Sequence, residues 1–200
     1  MLRNMIMNIL QFVWPSLFIC SVIFVSLRIA WLIKNKSKIN LHNELMMFLF
    51  GIYVLCIFYV VTFQDVDWST SNFIPFREIF RYEFGSRLFF KNVIGNMIMF
   101  SPYGFFIGYF IRTNKISVVA FLSIILSLSI ETTQLIIGRV FDVDDIMLNL
   151  VGAVIGFLIY KVLDKVEDTL PSSLKNTTLY GVILLIILAI VALYLFNIGV

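Results

Sequence analysis

Charge is the first thing that this sequence has little of. Only 14% of its 200 residues are Asp, Glu, Lys or Arg, whereas 60% are hydrophobic, and the mean hydropathy is +0.98. Because soluble domains carry about 25% charged residues, this composition excludes an ordinary soluble protein. The net charge of +3 gives no support for nucleic-acid binding, since the orientation of a membrane protein already explains a mildly basic balance.

The sequence also lacks most of the residues that common active sites need. Its one histidine, His42, lies among lysines and far from the polar stretch described below. Ser-His-Asp, Cys-His and H-E-x-x-H sites therefore cannot be assembled at that stretch. Neither a phosphate-binding loop nor a Gly-rich dinucleotide fingerprint occurs. Both cysteines, Cys20 and Cys56, fall inside apolar runs, where small hydrophobic packing is their usual role.

What the sequence does have is a series of long apolar runs. A helix rises about 1.5 Å per residue, so about 20 apolar residues cross the hydrocarbon core of a bilayer. Six runs approach or exceed this length: Leu10–Ile33, Leu45–Phe63, Val93–Ile111, Ile116–Ile137, Ile146–Val162 and Leu179–Ile198. The sequence therefore predicts an all-α, polytopic membrane helix bundle of about six transmembrane helices.

The connection between the second and third runs, residues 64–92, is the longest. Phe76, Ile79 and Phe80 recur there at helical spacing and Pro75 suits a first turn, which predicts a short interfacial amphipathic helix. Its basic residues either extend to lipid phosphates or form a rim that grips a phosphate or carboxylate above a pocket. The predicted loop rim consists of Asn72, Pro75, Arg77, Arg81, Arg87 and Lys91.

Basic residues in short loops set the orientation of a membrane protein, because they resist translocation. With six spans, the face of loops one, three and five carries nine of the 15 Lys and Arg residues, counting Arg28 and Lys161 in its adjoining spans, and the face of the N-terminus with loops two and four carries the other six. We therefore expect loops one, three and five in the cytoplasm. Both termini and the polar loop within residues 129–156 are predicted to be extracellular.

Polar residues in the fourth run follow one helical stripe. Ser123, Ser127, Glu131 and Gln134 share it, so the stripe should face protein or water and not lipid. An ionised glutamate at membrane depth costs at least about 2.5 kcal/mol, which makes Glu131 a functional candidate and the candidate general acid or base of any catalysis. Its expected partner is Arg139, because Gly138 can end the helix in a left-handed turn that lets the guanidinium fold back.

The acidic run "DVDD" precedes the fifth predicted span. Asp142, Asp144 and Asp145 crowd three carboxylates into four residues, and Asn149 follows one turn later. Helix capping explains one or two of them. The three aspartates either bind a divalent cation such as Mg²⁺ or Mn²⁺, or form an ion-pair network with Arg139 and the loop arginines.

Together these residues predict a polar pocket at one end of the bundle. We expect it to be lined by Asn92, Asn96, Glu131, Gln134, Arg139, Asp142, Asp144, Asp145 and Asn149. The spacing Gly-x-x-x-Gly occurs at Gly104 and Gly108 and again at Gly152 and Gly156, and it favours close helix packing.

In order and spacing, these polar motifs resemble the VanZ-like family of bacterial membrane proteins. The resemblance rests on Asn72-Phe73-Ile74-Pro75-Phe76, Asn92, Gly95, Asn96, Pro102, Gly104, Glu131, Gln134, Gly138-Arg139, Asp142, Asp144, Asp145, Asn149 and Gly152. It divides the chain into residues 1–44 with a first helix and a basic cytoplasmic loop, a VanZ-like transmembrane domain at 45–163, and a cytoplasmic linker with a last helix at 164–200. Some members of the family are associated with lowered susceptibility to glycopeptide and lipoglycopeptide antibiotics such as teicoplanin.

Three functions stay open at this point. The favoured one is a cell-surface modulator in the bacterial cell membrane, whose outer-face pocket binds a lipid headgroup, a cell-wall precursor, a glycopeptide-related ligand or a partner protein. The alternative is a divalent-metal-dependent membrane enzyme acting on a lipid-linked phosphate or glycan. A small transporter is the third, although the polar residues cluster at one end and do not continue across the membrane. A homo-oligomer formed through the glycine faces is also open.

Overall fold

Long apolar stretches fold into long helices here, because a helix satisfies its own backbone hydrogen bonds where no water is available. The computed structural model describes residues 2–36, 39–63, 71–171 and 175–199. Its helices group into two compact units, one of Met1–Tyr59 with Leu170–Val200 and the other of Val60–Thr169. The first part of the predicted long loop, residues 64–70, lies outside the described residues.

The first unit contains α1 (Leu2–Asn35), most of α2 (Leu41–Phe63) and α8 (Thr177–Gly199). A bidentate ion pair joins α1 to the first turn of α2, with Arg28 Nε and Nη2 each 2.8 Å from a carboxylate oxygen of Glu44. The same guanidinium lies 4.5 Å from the ring centroid of Trp31. This pairing leaves neither charge alone at the end of an apolar helix.

The second unit begins with short helices and continues with three long ones. In chain order these are α3 (Arg77–Arg81), α4 (Arg87–Phe89), a π-helical turn (Phe90–Ile94), α5 (Gly95–Ile111), α6 (Ile116–Ile136) and α7 (Val143–Thr169). The predicted interfacial helix is therefore present as the five-residue α3. All six predicted spans are helical, with ends that differ from the predicted ones by up to eight residues.

Five helices of the described part of the chain are long and apolar enough to cross a membrane. Each contains at least 21 residues that qualify, which covers about 30 Å at 1.5 Å per residue. In α8 the shorter stretch Thr177–Leu188 is the apolar part among the residues with described side chains. The prediction of an all-α membrane helix bundle is confirmed.

The most extensive helix contact of the second unit joins α5 to α7, and glycines make it possible. A Cβ atom at Gly104 would lie 1.7 Å from the carbonyl oxygen of Ala153, and one at Gly156 would lie equally close to that of Ser101. Two further glycines meet the opposite helix in the same way: Gly108 faces the ring of Tyr160, and Gly152 faces the backbone of Met97. The predicted close packing through both Gly-x-x-x-Gly motifs is confirmed.

Helix α6 packs on the other side of α7 through small and polar residues. Val119, Ser123, Ser127, Ile130 and Glu131 are its buried positions, and they repeat at helical spacing. The Ser123 hydroxyl donates to the carbonyl oxygen of Val119 in the same helix at 2.7 Å. As predicted, the polar stripe of this helix faces protein and not lipid.

Gly104→Ala should weaken the second unit, because the added methyl group meets backbone and cannot be accommodated by a side-chain rotation. Overpacking of this kind costs about 1–3 kcal/mol, occasionally more. We expect the variant to lose its folded state at lower temperature than the wild type in the same detergent, measured by the soluble monomer that survives heating.

Gly51→Ala is the matched control. Gly51 also lies inside a long apolar helix, but a Cβ atom there has nothing within 4 Å. Because alanine favours a helix over glycine by about 1 kcal/mol, this control should be neutral or stabilised. Equal melting of both variants would contradict the proposed backbone contact.

Candidate functional site

The polar end of the second unit begins where α6 stops. Gly138 adopts a left-handed conformation with φ of 85°, and its N–H group donates to the carbonyl oxygen of Leu135 at 3.2 Å. The N–H group of Arg139 donates to the carbonyl oxygen of Gln134 at 2.8 Å. Glycine is the residue that tolerates this turn, so the predicted helix end is confirmed.

Arg139 does not fold back onto Glu131, and the expected ion pair is wrong. Its Nη1 donates to the carbonyl oxygen of Val61 at 2.8 Å and to that of Val60 at 3.4 Å. These carbonyls belong to the last turn of α2, where four helical carbonyls have no partner within the helix. A cation is also favoured there by the helix dipole. Arg139 thus caps α2, while its charge remains close enough to Glu131 and Asp145 to interact with both.

The turn after Gly138 pairs with the long loop between α2 and α4. Asn72 donates its backbone N–H to the carbonyl oxygen of Phe141 at 2.8 Å and accepts from the N–H of Val143 at 3.1 Å. Its side-chain Nδ2 donates to Asp142 Oδ1 at 3.0 Å. Asn72 was predicted at the rim of a pocket, but it lies buried and joins the two connections into one structure.

Glu131 and Asp142 fix the start of α7. The N–H group of Asp142 donates to Glu131 Oε2 at 2.9 Å, and Asp142 Oδ1 accepts from the N–H of Asp144 at 2.8 Å. Asp142 is therefore the N-cap of α7, which agrees with the helix capping expected for one or two of the three aspartates. Burial raises the pKa of the Asp142 carboxyl, and its hydrogen bonds to Asp144 and Asn72 act in the opposite direction. Glu131 is only 1% exposed.

Asp144 caps a helix that is far away in the sequence. Its carboxylate accepts backbone N–H groups of Phe76 at 2.5 Å, Glu78 at 2.7 Å and Ile79 at 3.2 Å. These are free amides at the beginning of α3, where negative charge is favoured. Phe76 has φ of 67°, an uncommon conformation for an aromatic residue, and the bonds to Asp144 hold this turn. The carboxylate is 1% exposed.

Asp145 faces α5, where Asn96 Nδ2 donates to its Oδ1 at 2.5 Å. One turn earlier, the side chain of Asn92 is hydrogen-bonded to the Tyr82 hydroxyl, and burial is the main reason why the pKa of Tyr82 is raised. Asn92 belongs to the π-helical turn Phe90–Ile94, a deviation that often occurs at functional sites. Asn96 thus contacts an acidic residue of α7, whereas Asn92 contacts Tyr82.

Asn149 lies one turn deeper in the bundle than Asp145. Its Nδ2 donates to the Ser127 hydroxyl at 2.8 Å, so it bridges α7 and α6. Its Oδ1 is buried and has no hydrogen-bond partner among the residues that the structure describes. Leaving a buried acceptor unsatisfied costs about 1–3 kcal/mol, which marks this position as one that a hydrogen-bond donor would stabilise.

The three aspartates of "DVDD" point to different partners. Asp142 accepts from Asn72 and from the backbone, Asp144 from α3, and Asp145 from Asn96. Within residues 2–36, 39–63, 71–171 and 175–199, no group of three His, Cys, Asp or Glu residues could hold a metal ion. The three aspartates are therefore not arranged as a set of metal ligands in this structure. The metal site on Asp142, Asp144 and Asp145 stays a prediction.

Comparison with known proteins agrees with this arrangement of motifs. A family model described as VanZ/LLP1 matches residues 12–164. The chain belongs to the VanZ/LLP1 family. Searches of curated proteins and of solved structures found no match. The family match therefore covers all of α2 to α6, α1 from residue 12 onward, and α7 up to its last turns.

The remaining predicted rim residues of this VanZ/LLP1 protein lie on the outside of the second unit. Arg77, Arg81 and Arg87 are exposed, Lys91 is half-buried, and Pro75 is exposed in the turn before α3. Arg81 pairs with Glu78 at 3.0 Å on the same short helix. Glu131 and Asn96 form hydrogen bonds at the start of α7, whereas Arg77, Arg81 and Arg87 are exposed.

Two parts of the site were absent from the sequence analysis. Tyr82 contributes a hydroxyl to Asn92, and the carbonyls of Val60 and Val61 bind Arg139. Backbone carbonyls carry no sequence signal at all, because every residue has one. Tyr82 stands among other aromatic residues in "RYEFG", so nothing in its spacing distinguished it.

Asp144→Asn tests the cap that this VanZ/LLP1 protein builds on α3. Asparagine keeps one acceptor oxygen but loses the charge and the second acceptor, and hydrogen bonds to charged groups contribute about 1.5–3 kcal/mol each. We expect the amides of Phe76, Glu78 and Ile79 to exchange hydrogen roughly tenfold faster or more, measured by mass spectrometry on peptides that cover α3.

Glu83→Gln is the control for that measurement, because Glu83 is an exposed carboxylate of the same loop. Its exchange rates in α3 should match those of the wild type. Unchanged exchange in Asp144→Asn would show that α3 is held by something else.

Proposed function

We propose that this protein is a modulator of the bacterial cell envelope. In this proposal its polar end binds the headgroup of a lipid or of a lipid-linked cell-wall precursor. Through that binding, the cell becomes less susceptible to teicoplanin and related glycopeptide and lipoglycopeptide antibiotics. The proposal starts from what is established, namely a membrane helix bundle of the VanZ/LLP1 family.

The observation that carries the proposal is the group of buried polar side chains at the start of α7. Glu131 is almost fully buried, and its charge interacts with those of Asp142 and Asp145. Asn149 adds a buried acceptor without a partner. Such groups are costly at membrane depth, and they are typical of functional positions. A ligand that brings hydrogen-bond donors would satisfy them.

The helix-capping roles of the carboxylates favour binding over catalysis. Asp142 caps α7 and Asp144 caps α3, so neither is available as a metal ligand without loss of its cap. A headgroup, in contrast, needs only donors and acceptors at the correct depth. The boundary position supports a lipid-linked ligand, because the candidate span Val143–Thr169 begins one residue after Asp142.

The proposal places the polar end on the outer face of the membrane, with both termini outside. Its support is the distribution of Lys and Arg, of which nine of 15 belong to the face of loops one, three and five, counting Arg28 and Lys161 in the adjoining spans. The pairing of Asn72 with Asp142 agrees with this arrangement. It brings together two loops separated by α5 and α6, and loops separated by two spans lie on the same side.

Glu131→Gln tests this function. The amide keeps the size of the side chain and removes its acidity, so ligand binding should be lost while the helices still pack. We expect that a susceptible Gram-positive host carrying the variant has the same minimum inhibitory concentration of teicoplanin as the host with an empty vector. The wild type should raise that concentration.

Glu167→Gln is the matched control, since Glu167 is exposed near the other end of α7. It should protect the host as well as the wild type does. Equal amounts of each protein in the membrane fraction must be confirmed by immunoblot. Full protection by Glu131→Gln at equal abundance would refute the role of the polar end.

A further inference from the structure

Large aromatic side chains stand exposed along the loop that contains α3. Phe80 is 82% exposed, Phe84 is 88% exposed and Phe73 is 70% exposed. Two of them contact another ring: Phe73 is stacked on Phe141 with 5.4 Å between centroids, and Phe84 is tilted against Phe89 with 5.1 Å between centroids. An apolar surface of this kind marks an interaction site when it is contiguous.

The loop lies at the boundary of the membrane. It connects the candidate span that ends at Thr62 to the one that begins at Arg87. Its middle is tied to the start of a third span, since Asp144 in the first turn of α7 binds the N-terminus of α3. The exposed rings are therefore held near the level where spans enter the headgroup layer, which is where amphipathic aromatic side chains concentrate.

Basic side chains alternate with these rings. Arg77 precedes Phe80, Arg81 follows it, and Arg87 follows Phe84, all three arginines being exposed. Two acidic residues, Glu78 and Glu83, share the stretch, and Glu78 is already paired with Arg81. Phenylalanines beside arginines suit a surface that inserts rings between acyl chains and places guanidinium groups on phosphates.

We propose that residues 73–87 form an interfacial wedge that binds a leaflet containing anionic phospholipids. The exposed rings of Phe73, Phe80 and Phe84 enter the headgroup layer. Arg77 and Arg87 bind the lipid phosphates. The buried carboxylate of Asp144 keeps the wedge in place. This inference does not require a ligand at Glu131, because Phe73, Phe80 and Phe84 are exposed whereas Glu131 is buried.

Two observations favour lipid as the partner of the wedge. Its position is set by the ends of three candidate spans, so lipid headgroups are the first molecules that it meets. Its net charge also complements an anionic leaflet, since Arg77, Arg81 and Arg87 outnumber Glu78 and Glu83. Near such a surface each basic residue contributes about 1 kcal/mol of attraction.

The test uses the full-length protein in nanodiscs with a fluorophore on Phe84→Cys, in a background with Cys20→Ser and Cys56→Ala. Nanodiscs contain either phosphatidylcholine alone or phosphatidylcholine with phosphatidylglycerol. We expect the label to be shielded from aqueous iodide, and more strongly with phosphatidylglycerol. Glu167→Cys, labelled in the same way, reports an exposed position and should be quenched in both.

The dependence of the shielding on charge is tested with Arg77→Gln and Arg87→Gln together, because each substitution removes one positive charge. The shielding of the Phe84→Cys label should then no longer depend on phosphatidylglycerol. Three results would overturn the proposal: quenching equal to that of Glu167→Cys, shielding that ignores the anionic lipid in the parent protein, or shielding that appears only in native membranes. The last result would indicate a partner protein on the wedge.

Discussion

A series of hydrogen bonds that begins at Glu131 determines how the polar end is built. Glu131 accepts the N–H of Asp142, Asp142 accepts the N–H of Asp144, and Asp144 accepts three N–H groups of α3. Glu131 thus fixes the backbone of Asp142, Asp142 fixes that of Asp144, and Asp144 fixes the start of α3. A change at Glu131 is therefore expected to reach the loop of α3 although the two lie far apart in the sequence.

The membrane explains why carboxyl groups were used for this purpose. Near hydrocarbon, every backbone N–H group needs a partner, and a turn between two spans exposes several of them. Glu131, Asp142 and Asp144 supply acceptors to these groups, while Arg139 supplies a donor to the carbonyls at the end of α2. The polar residues are therefore needed for the fold itself. The function proposed for them relies on the polar groups that these hydrogen bonds leave unsatisfied, above all Asn149 Oδ1.

Close approach of α5 and α7 is the second constraint. At Gly104 and Gly156 the two backbones are in contact with no side chain between them, so α7 cannot shift along α5 without a collision. This contact sets the height at which Asp145 meets Asn96. The packing of glycines in the middle of the bundle thereby positions the polar side chains at its end.

The sequence predicts much of this fold, because apolar length and helical spacing are local properties. It located the spans, the small helix of the long loop and the left-handed turn at Gly138. It located Asp144 at the polar end but did not show that Asp144 caps α3. It also predicted Glu131 as the partner of Arg139, whereas Arg139 binds carbonyl groups of α2. Both gaps have one physical origin: the actual partners are backbone N–H groups of α3 and backbone carbonyl groups of α2, which no residue type reveals.

The central claim is that the polar end around Glu131 holds a lipid-derived ligand. Native mass spectrometry of the protein purified from a Gram-positive membrane tests it most directly, with Glu131→Gln and Glu167→Gln measured beside the wild type. We expect one lipid or lipid-linked precursor to remain bound to the wild type and to Glu167→Gln, and to be missing from Glu131→Gln. The same bound lipids in the same amounts on all three proteins would contradict the account.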